Sequence, residues 1–253
     1  MKDLTIIIPI IEFNDEEKVM YQEALESAKG NAEKLIVVGG PNAIEKVEKV
    51  DGVEYLVNDT DDTTYCAQVN FVIDKVKTKY FSVLEFDDKF NKFWFSNVEQ
   101  YIKNDIDDMF GYLPLTILFD CNLKGEVGFA NEAYWASSFS EEIGYLDLNS
   151  MLDYFNFNVS GAIFKTEEFK TLGGLKVSMK LTFWYEFLLR ALHKGKKMYV
   201  IPKAGCVHRI NRIGSISEDY AKNMSDKEAD FWFDLAKREY MFTKDRKKVY
   251  EEE

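Results

Sequence analysis

Apolar and polar positions alternate along this chain in short blocks. Leu4–Ile8 is an unbroken run rich in β-branched residues, the pattern of a strand buried on both faces, and Pro9 ends it. Glu16–Lys29 has helical spacing, with Val19, Met20, Leu25 and Ala28 sharing an inward stripe. Asn14 or Asp15 is positioned to cap that helix, and Gly30 stops it. Leu35–Val38 reads as a second buried strand closed by Gly39-Gly40-Pro41. A short helix, Ala43–Val50, and a third strand, Val53–Val57, follow. The polar loop Asn58–Thr64, including Asp59 and Asp62, reads as the cap of a helix over Tyr65–Lys77, and Tyr80–Phe86 is a fourth strand. Strands and helices alternating in this way predict right-handed βαβ units and a mostly parallel sheet.

The second half is less regular. Phe93–Asn104 reads as a helix and Asp107–Phe119 as one or two strands. Lys124–Leu146 reads as an aromatic loop. Val159–Phe164 is a strand, Glu167–Thr171 a short helix and Gly173-Gly174 a turn. Thr182–His193 is an apolar helix stopped by Gly195, and Lys197–Ile201 is a strand ended by Pro202. Ser225–Tyr240 is an amphipathic tail helix. Its Phe231, Trp232, Phe233 and Leu235 suit either the chain's own core or a homo-oligomer contact. Trp94, Tyr134, Trp135 and Phe139 suit either ordinary packing or an aromatic wall for a sugar.

The chemistry concentrates where the fourth strand ends, in KYFSVLEFDD (Lys79 to Asp88). An apolar run stops at Glu85, Asp87 and Asp88. Carboxylates beside buried strand residues are costly unless a cation meets them. In parallel sheets ligands sit outside the carboxyl ends of the strands. A hard cation with oxygen ligands answers both points, and an acidic turn that merely stops the strand is the plain alternative.

Composition narrows the classes. The 253 residues carry a net charge of −12, which opposes general nucleic-acid binding. Cys66, Cys121 and Cys206 share no metal-type spacing and read as reduced thiols, and with only His193 and His208 a His-rich zinc site is not expected. No apolar run reaches membrane-span length and no secretory pattern precedes the first strand, so the expected location is cytoplasmic. Few prolines among many Lys, Asn and Phe suit a phage or low-GC bacterial source.

Several segments, taken in order, resemble family-2 glycosyltransferases of the GT-A fold. TIIIPI is similar to that family's first strand, YQEALES to its "ALES" helix, KLIVVGG to its second strand and LEFDD to its "LDADD". FKTEEFKTLGGL resembles the turn beside the acceptor site, YEFLLRALHKG resembles "YELLLRALKKG", and VIPKAGCVHRINRIGSIS resembles the closing segment. The resemblance covers residues 1–217. It implies an α/β, GT-A-like domain, with a nucleotide-binding half over 1–90 and a mixed acceptor-side half over 91–217. A C-terminal helical tail over 218–253 follows.

The resemblance also implies a function: metal-dependent, inverting transfer of a sugar from a nucleotide-diphosphate donor, taken as a UDP-sugar, to a hydroxyl of a glycan, protein or modified base. Mn²⁺ or Mg²⁺ would sit on Asp87 as leading ligand, with Glu85 and Asp88 in support; Asp88 also stands as a catalytic candidate. His208 lies where a late loop returns to the metal in some members, with a packed loop histidine as the alternative. Pro9, Ile10 and Glu12 follow the first strand, where the family contacts base and ribose. Asn70, on the helix before the acidic motif, is a further donor contact. Arg209 and Arg212 would meet the diphosphate, with surface salt bridges as the alternative for both, and Ser215 and Ser217 would form a lid.

Two departures stand out. The second strand ends in Gly39-Gly40 rather than the usual acids, and Phe183-Trp184 replaces the "ED" whose Asp deprotonates the acceptor. Glu186 is the nearest carboxylate to that position. It reads as the base, with a pKa raised by its apolar neighbours, or as the i,i+4 partner of Arg190. The remaining alternatives are a degenerate sugar-nucleotide or partner-binding module and a nucleotidyltransferase. The second usually has a Gly-rich basic loop where this chain has IEFNDEE.

Overall fold

Strand β1 (Leu4–Ile10) is buried along its whole length, as its apolar run predicts. Its alternate side chains feed two separate cores. Ile6, Ile8 and Ile10 join one apolar layer, while Ile7 joins the other. Helices therefore cover both faces of the sheet, giving an α/β layered architecture. The computed structural model describes residues 1–12, 14, 17–154 and 157–251. The cap expected of Asp15 and the helix start expected at Glu16 fall outside the described residues.

After β1 come α1 (Lys18–Ala28), β2 (Lys34–Gly39), α2 (Pro41–Lys46), β3 (Glu54–Val57), α3 (Tyr65–Ile73) and β4 (Tyr80–Val83). β5 (Lys89–Phe90), α4 (Trp94–Lys103), β6 (Gly111–Asp120), β7 (Gly125–Ala130) and α5 (Leu148–Asp153) follow. The chain continues with β8 (Ile163–Lys165), α6 (Thr166–Thr171), α7 (Phe183–His193), β9 (Met198–Ile210), α8 (Ile216–Asn223) and α9 (Asp226–Glu251). Among the described residues the sheet runs β3-β2-β1-β4-β8-β6-β9-β5, with β7 on β6. The first four strands are parallel. β8 is antiparallel to both β4 and β6, and β6 and β9 are parallel to each other. The first half is thus the expected parallel sheet and the second half is mixed.

Several local expectations need correction. The inward face of α1 is Tyr21, Ala24, Leu25 and Ala28, whereas Val19 is exposed. Leu25 and Ala28 lie where expected, while Tyr21 and Ala24 take the places given to Val19 and Met20 and complete an i, i+3, i+4, i+7 stripe. The segment after Lys124 is not simply loop: β7 pairs with β6, and a 3-10 turn spans Glu132–Trp135. β7 is an edge strand with Val127 and Phe129 exposed, so it lacks the burial pattern that makes a strand legible. Ser215 caps α8, accepting from the Glu218 N–H at 3.1 Å, so the expected lid serines belong to a helix start. The aromatic residues do not form one wall. Trp94 is in the core with β1 and α1, while Tyr134, Trp135 and Phe139 pack in the other.

The largest correction concerns β9, which does not end at Pro202. Its pairing with β6 jumps from Ile201↔Pro114 to Ala204↔Leu115 and again to Cys206↔Thr116. Pro202 and Lys203 occupy the first of these bulges, where no ladder N–H is required. Gly205 then passes directly beneath the Trp94 ring, where any Cβ would collide with the indole. The bulges carry β9 onward to pair with β5 and to deliver residues 206–212 beside the end of β4. At the C-terminus, α9 packs on α7. Trp232, Phe233 and Leu235 are half-buried against this chain's own core, while Phe231 stays exposed.

Candidate functional site

The acidic segment is clamped between β1 and β9. Leu84 N–H donates to the Ile7 carbonyl at 2.9 Å, and Asp88 N–H donates to the Glu85 carbonyl at 3.0 Å, closing a tight turn. β5 then pairs Lys89 with Val207 and Phe90 with Cys206. The acids therefore sit at the carboxyl end of the parallel strands, where such sheets bind ligands.

Each acid has a different partner. Asp88 is fully buried, accepts from the Arg209 backbone N–H at 3.1 Å and faces His208 Nδ1 at 2.9 and 3.1 Å. Glu85 Oε2 lies 3.8 Å from the same Nδ1, and the Glu85 N–H donates to Ser160 Oγ at 3.2 Å. With 34 % of its side chain accessible, Glu85 is the open side of the cluster. Asp87 instead accepts from Arg212 Nε at 2.5 Å. Ligand atoms of Glu85, Asp88 and His208 all lie within 4.8 Å of one another. Asp87, expected as the leading metal ligand, is not one of this trio.

Both arginines are engaged by acids. Arg212 Nη1 donates to Glu17 at 2.8 Å, and its guanidinium stands 5.2 Å from the Phe86 ring centroid. Arg209 bonds the Asp87 carbonyl and the Glu23 carboxylate, and Lys89 Nζ lies 3.3 Å from the same Glu23 oxygen. Glu17 is also bonded reciprocally with Asn14, whose N–H donates to its carboxylate at 2.9 Å. Thus the start of α1 is tied to the chain after β9. Glu17 and Glu23 were not among the residues singled out in the sequence. Their partners lie 195 and 186 positions away, and no local pattern announces such a pairing.

The cluster perturbs its own protonation. Although a third of its side chain meets solvent, the partial burial of Glu85 among the surrounding atoms, then the charge of Asp88, push it up to about 8. Burial and Asp88 also raise Asp87, against the pull of Arg212. For His208 burial opposes the charge, but Asp88 outweighs it and lifts the imidazole to about 10. A protonated His208 is therefore the counter-charge of these acids when no metal is bound.

The signs of these shifts agree. From its ordinary 4.5 up to about 8, folded Glu85 holds a proton that the unfolded chain has lost. From 6.5 up to about 10 the same holds for His208. Stability falls with rising pH wherever the folded state binds more protons. In EDTA the melting temperature is expected to drop between about pH 6 and about pH 9, and His208→Gln should flatten the upper part of that slope. A melting temperature that rises over this range would contradict the reading.

The other predicted site residues fall into two groups. Pro9 and Ile10 are buried at the end of β1, paired with Val38 and Gly39, and Glu12 is exposed just beyond them. Gly39 has no room for a Cβ, which would sit 2.8 Å from the Ile10 carbonyl oxygen, so the close approach there is between strands. Asn70 is a backbone clamp: its Nδ2 donates to the Leu175 carbonyl at 2.8 Å and its Oδ1 accepts from Leu175 N–H at 2.9 Å. It holds the Gly173-Gly174 turn, where both glycines have positive φ.

Glu186 is 2 % exposed and bonded on every side. Arg190 donates through Nε at 3.1 Å and Nη2 at 2.9 Å, Lys176 Nζ lies at 2.7 Å, and the Tyr240 hydroxyl donates at 3.0 Å. Its pKa is not raised, as its apolar neighbours suggested. Burial does push it up, but the bonds to Arg190 and Lys176 prevail and lower it. Two residues earlier, Trp184 Nε1 donates to the Tyr65 hydroxyl at 3.2 Å. The negative charges of Glu85 and Asp88 help hold that phenol well above its usual range, after burial as the main cause. Residues two apart on an α-helix point about 200° apart. Trp184 therefore faces Tyr65, and Glu186 faces Tyr240 of α9.

No family model matches the chain, and no curated protein matches it. Solved structures do share its fold. S. aureus TarS 1-349 in complex with UDP-GlcNAc superposes with a TM-score of 0.63 at 14% identity, covering 86% of this chain and 61% of that one. The same protein in complex with UDP gives 0.60 at 15% identity, covering 83% and 61%. A longer TarS structure gives 0.60 at 16% identity, covering 83% of this chain and 37% of its own. The chain thus spans about three fifths of TarS 1-349, and what it shares with this glycosyltransferase is the mixed α/β fold.

Proposed function

We propose that this chain is a glycosyltransferase that takes a sugar from a UDP-sugar and passes it to a hydroxyl acceptor. The observation that carries the reading is the cluster of Glu85, Asp88 and His208 at the carboxyl end of the parallel strands. The shared fold supports it, since TarS has been solved with UDP-GlcNAc and with UDP at 61% coverage of its chain.

The donor set fits a divalent cation. Two carboxylates and one imidazole suit Mn²⁺ better than Mg²⁺, which prefers oxygen alone. Glu85, Asp88 and His208 would hold the ion, with His208 deprotonated. When bound, the ion supplies Lewis-acid stabilisation of the negative charge that accumulates on the departing diphosphate. Arg209 and Arg212 are the forked donors nearest the cluster and match phosphate oxygens. Their acidic partners Glu17, Glu23 and Asp87 keep them oriented until a phosphate competes for them. Buried Asp88 fixes both the His208 ring and the Arg209 backbone, so it organises the cation site as well as contributing charge.

A second reading has its own observation. Glu186 is held by Arg190, Lys176 and Tyr240, which suits a structural carboxylate. A chain that binds the donor without an efficient base on α7 would act as a sugar-nucleotide-binding module. One experiment addresses both readings: thermal shift with UDP and UDP-GlcNAc, with and without Mn²⁺, alongside an assay of UDP release. Ligand present at about 100 times its Kd is expected to stabilise the folded state by about 2.7 kcal/mol. A shift with turnover supports the transferase, and a shift without turnover supports the module. A folded protein unmoved by either nucleotide would sink both.

A further inference from the structure

A cleft of about 410 Å³ opens at the far end of the sheet from the acidic cluster. It is lined by Tyr101 and Asn104 at the end of α4, Tyr112 on β6, Tyr199 on β9, and Tyr145 and Asp105 from loops. Tyr112 pairs with Tyr199, and Leu118 pairs with His208. The six residue steps along β6 between those pairs span about 20 Å. The cleft and the acidic cluster are therefore different places on one scaffold.

The aromatic wall is built rather than incidental. The Tyr199 ring lies 5.7 Å from Tyr101, 5.0 Å from Tyr145 and 6.0 Å from Trp135 between ring centroids. Gly144, at φ 86°, makes room for it, since a Cβ there would run into the Tyr199 ring at 2.6 Å. Tyr101, Tyr145 and Tyr199 are each only half-buried, so aromatic surface remains open to the cleft. Beneath them Tyr112 is 3 % exposed and its hydroxyl has no hydrogen-bond partner. Asp105 is close enough to help burial raise that phenol's pKa. Its two oxygens are shared with the N–H groups of Asp107 at 3.0 Å and Met109 at 2.8 Å, and the Tyr112 hydroxyl, though close enough to feel Asp105, falls short of hydrogen-bond geometry with it. An unpaired buried hydroxyl is a donor left over for a ligand hydroxyl that reaches it.

We propose that this cleft is a saccharide-binding site separate from the acidic cluster. Pyranose rings offer apolar C–H faces for stacking on tyrosines, and hydroxyl edges for amides, carboxylates and phenols. The size lies in the range of small-molecule sites. The charges favour an uncharged ligand. Two aspartates and no lining cation disfavour phosphates and nucleotides. An organic cation would stack on the same tyrosines and gain most beside a free carboxylate. Asp107, however, is paired with Lys197 at 2.7 Å and with the Tyr145 hydroxyl at 2.8 Å, and Asp105 is held by backbone N–H groups. A neutral polyol matches what remains. The inference does not depend on the transferase reading, though a site of this kind would let a transferase hold a glycan chain away from its reacting end.

The test is saturation-transfer NMR and calorimetry on the full chain, with cellotriose, maltotriose and chitotriose as probes and choline chloride as the cationic control. At least one trisaccharide is expected to bind. Tyr101→Ala should weaken that binding by about 10-fold, the worth of one lost stacking platform. Tyr112→Phe, which preserves shape, should weaken it several-fold through loss of the hydroxyl, by about 1 kcal/mol or less. Asp88→Asn should leave it unchanged, and an unaltered circular dichroism spectrum and melting temperature show that Tyr101→Ala is folded. Absence of binding by all three sugars, binding of choline in their place, binding undiminished in Tyr101→Ala, or binding lost in Asp88→Asn would each overturn the proposal.

Discussion

Asp88→Asn is expected to abolish metal-dependent donor binding while leaving the protein folded. The substitution is nearly isosteric, and an amide oxygen can still accept from Arg209 N–H as the carboxylate does at 3.1 Å. It removes the charge that faces His208 at 2.9 Å and one of the two carboxylates in the candidate cation site. Loss of groups that merely orient metal ligands costs about 10–100-fold in affinity or activity, so loss of a ligand sets about 100-fold as the lower bound. At a donor concentration of about 100 times the original Kd, stabilisation should fall from about 2.7 kcal/mol to about 0.4 kcal/mol. The measurement is melting temperature against UDP-GlcNAc concentration at fixed Mn²⁺, with UDP release followed in parallel. An undiminished Mn²⁺-dependent shift in Asp88→Asn would remove the acidic cluster from the donor site. Arg212→Ala offers a contrast, because it frees Asp87 and Glu17 without touching the trio.

The second large effect is expected at Glu186, and it is one of stability. Glu186→Leu leaves the Arg190 guanidinium, whose side chain is 14% exposed, without its carboxylate. It also removes the carboxylate to which the Tyr240 hydroxyl donates. Removing one partner of a buried ion pair costs about 3–5 kcal/mol. The Arg190 bonds to the Leu172 and Gly174 carbonyls survive and favour the lower end of that range. Glu186→Gln keeps the shape and some of the hydrogen bonds, so it should cost less, about 1–3 kcal/mol. The pH dependence follows from the lowered pKa. The stabilisation is fully present above the ordinary 4.5 and is lost as pH falls below it through the folded value. If the carboxylate is structural, Glu186→Gln retains transfer once allowance is made for the folded fraction. An unchanged melting temperature with transfer lost by about 1,000-fold or more would instead identify Glu186 as the base.

These two residues show why one half of the site was legible in the sequence and the other was not. Asp88 stands at the end of a buried strand, and a strand end in a βαβ series has only one place to go. Glu186 was ambiguous because its neighbours, Phe183 and Trp184, suggest an apolar pocket. The partner Lys176 lies ten residues upstream and Tyr240 fifty-four downstream. Those contacts turn a carboxylate expected to hold its proton into one that gives it up readily.

The sequence by itself determined the first half of the fold, because burial on both faces leaves an unbroken apolar run such as Leu4–Ile8 that solvent-facing segments cannot mimic. It also determined that acids cluster after β4, and its resemblance to a known family singled out His208 as a group that returns to them. Tertiary structure alone decided which acid meets which cation. That pairing depends on how far β9 runs and in what phase, and the bulges around Pro202 and Gly205 set both by adding residues that β6 does not match. One residue more or fewer would reverse which side chains of 206–212 face the cluster, because side chains along a strand alternate between its faces. The same applies to Glu17 and Glu23 on the opposing helix, whose role exists only once α1 lies beside the end of β9.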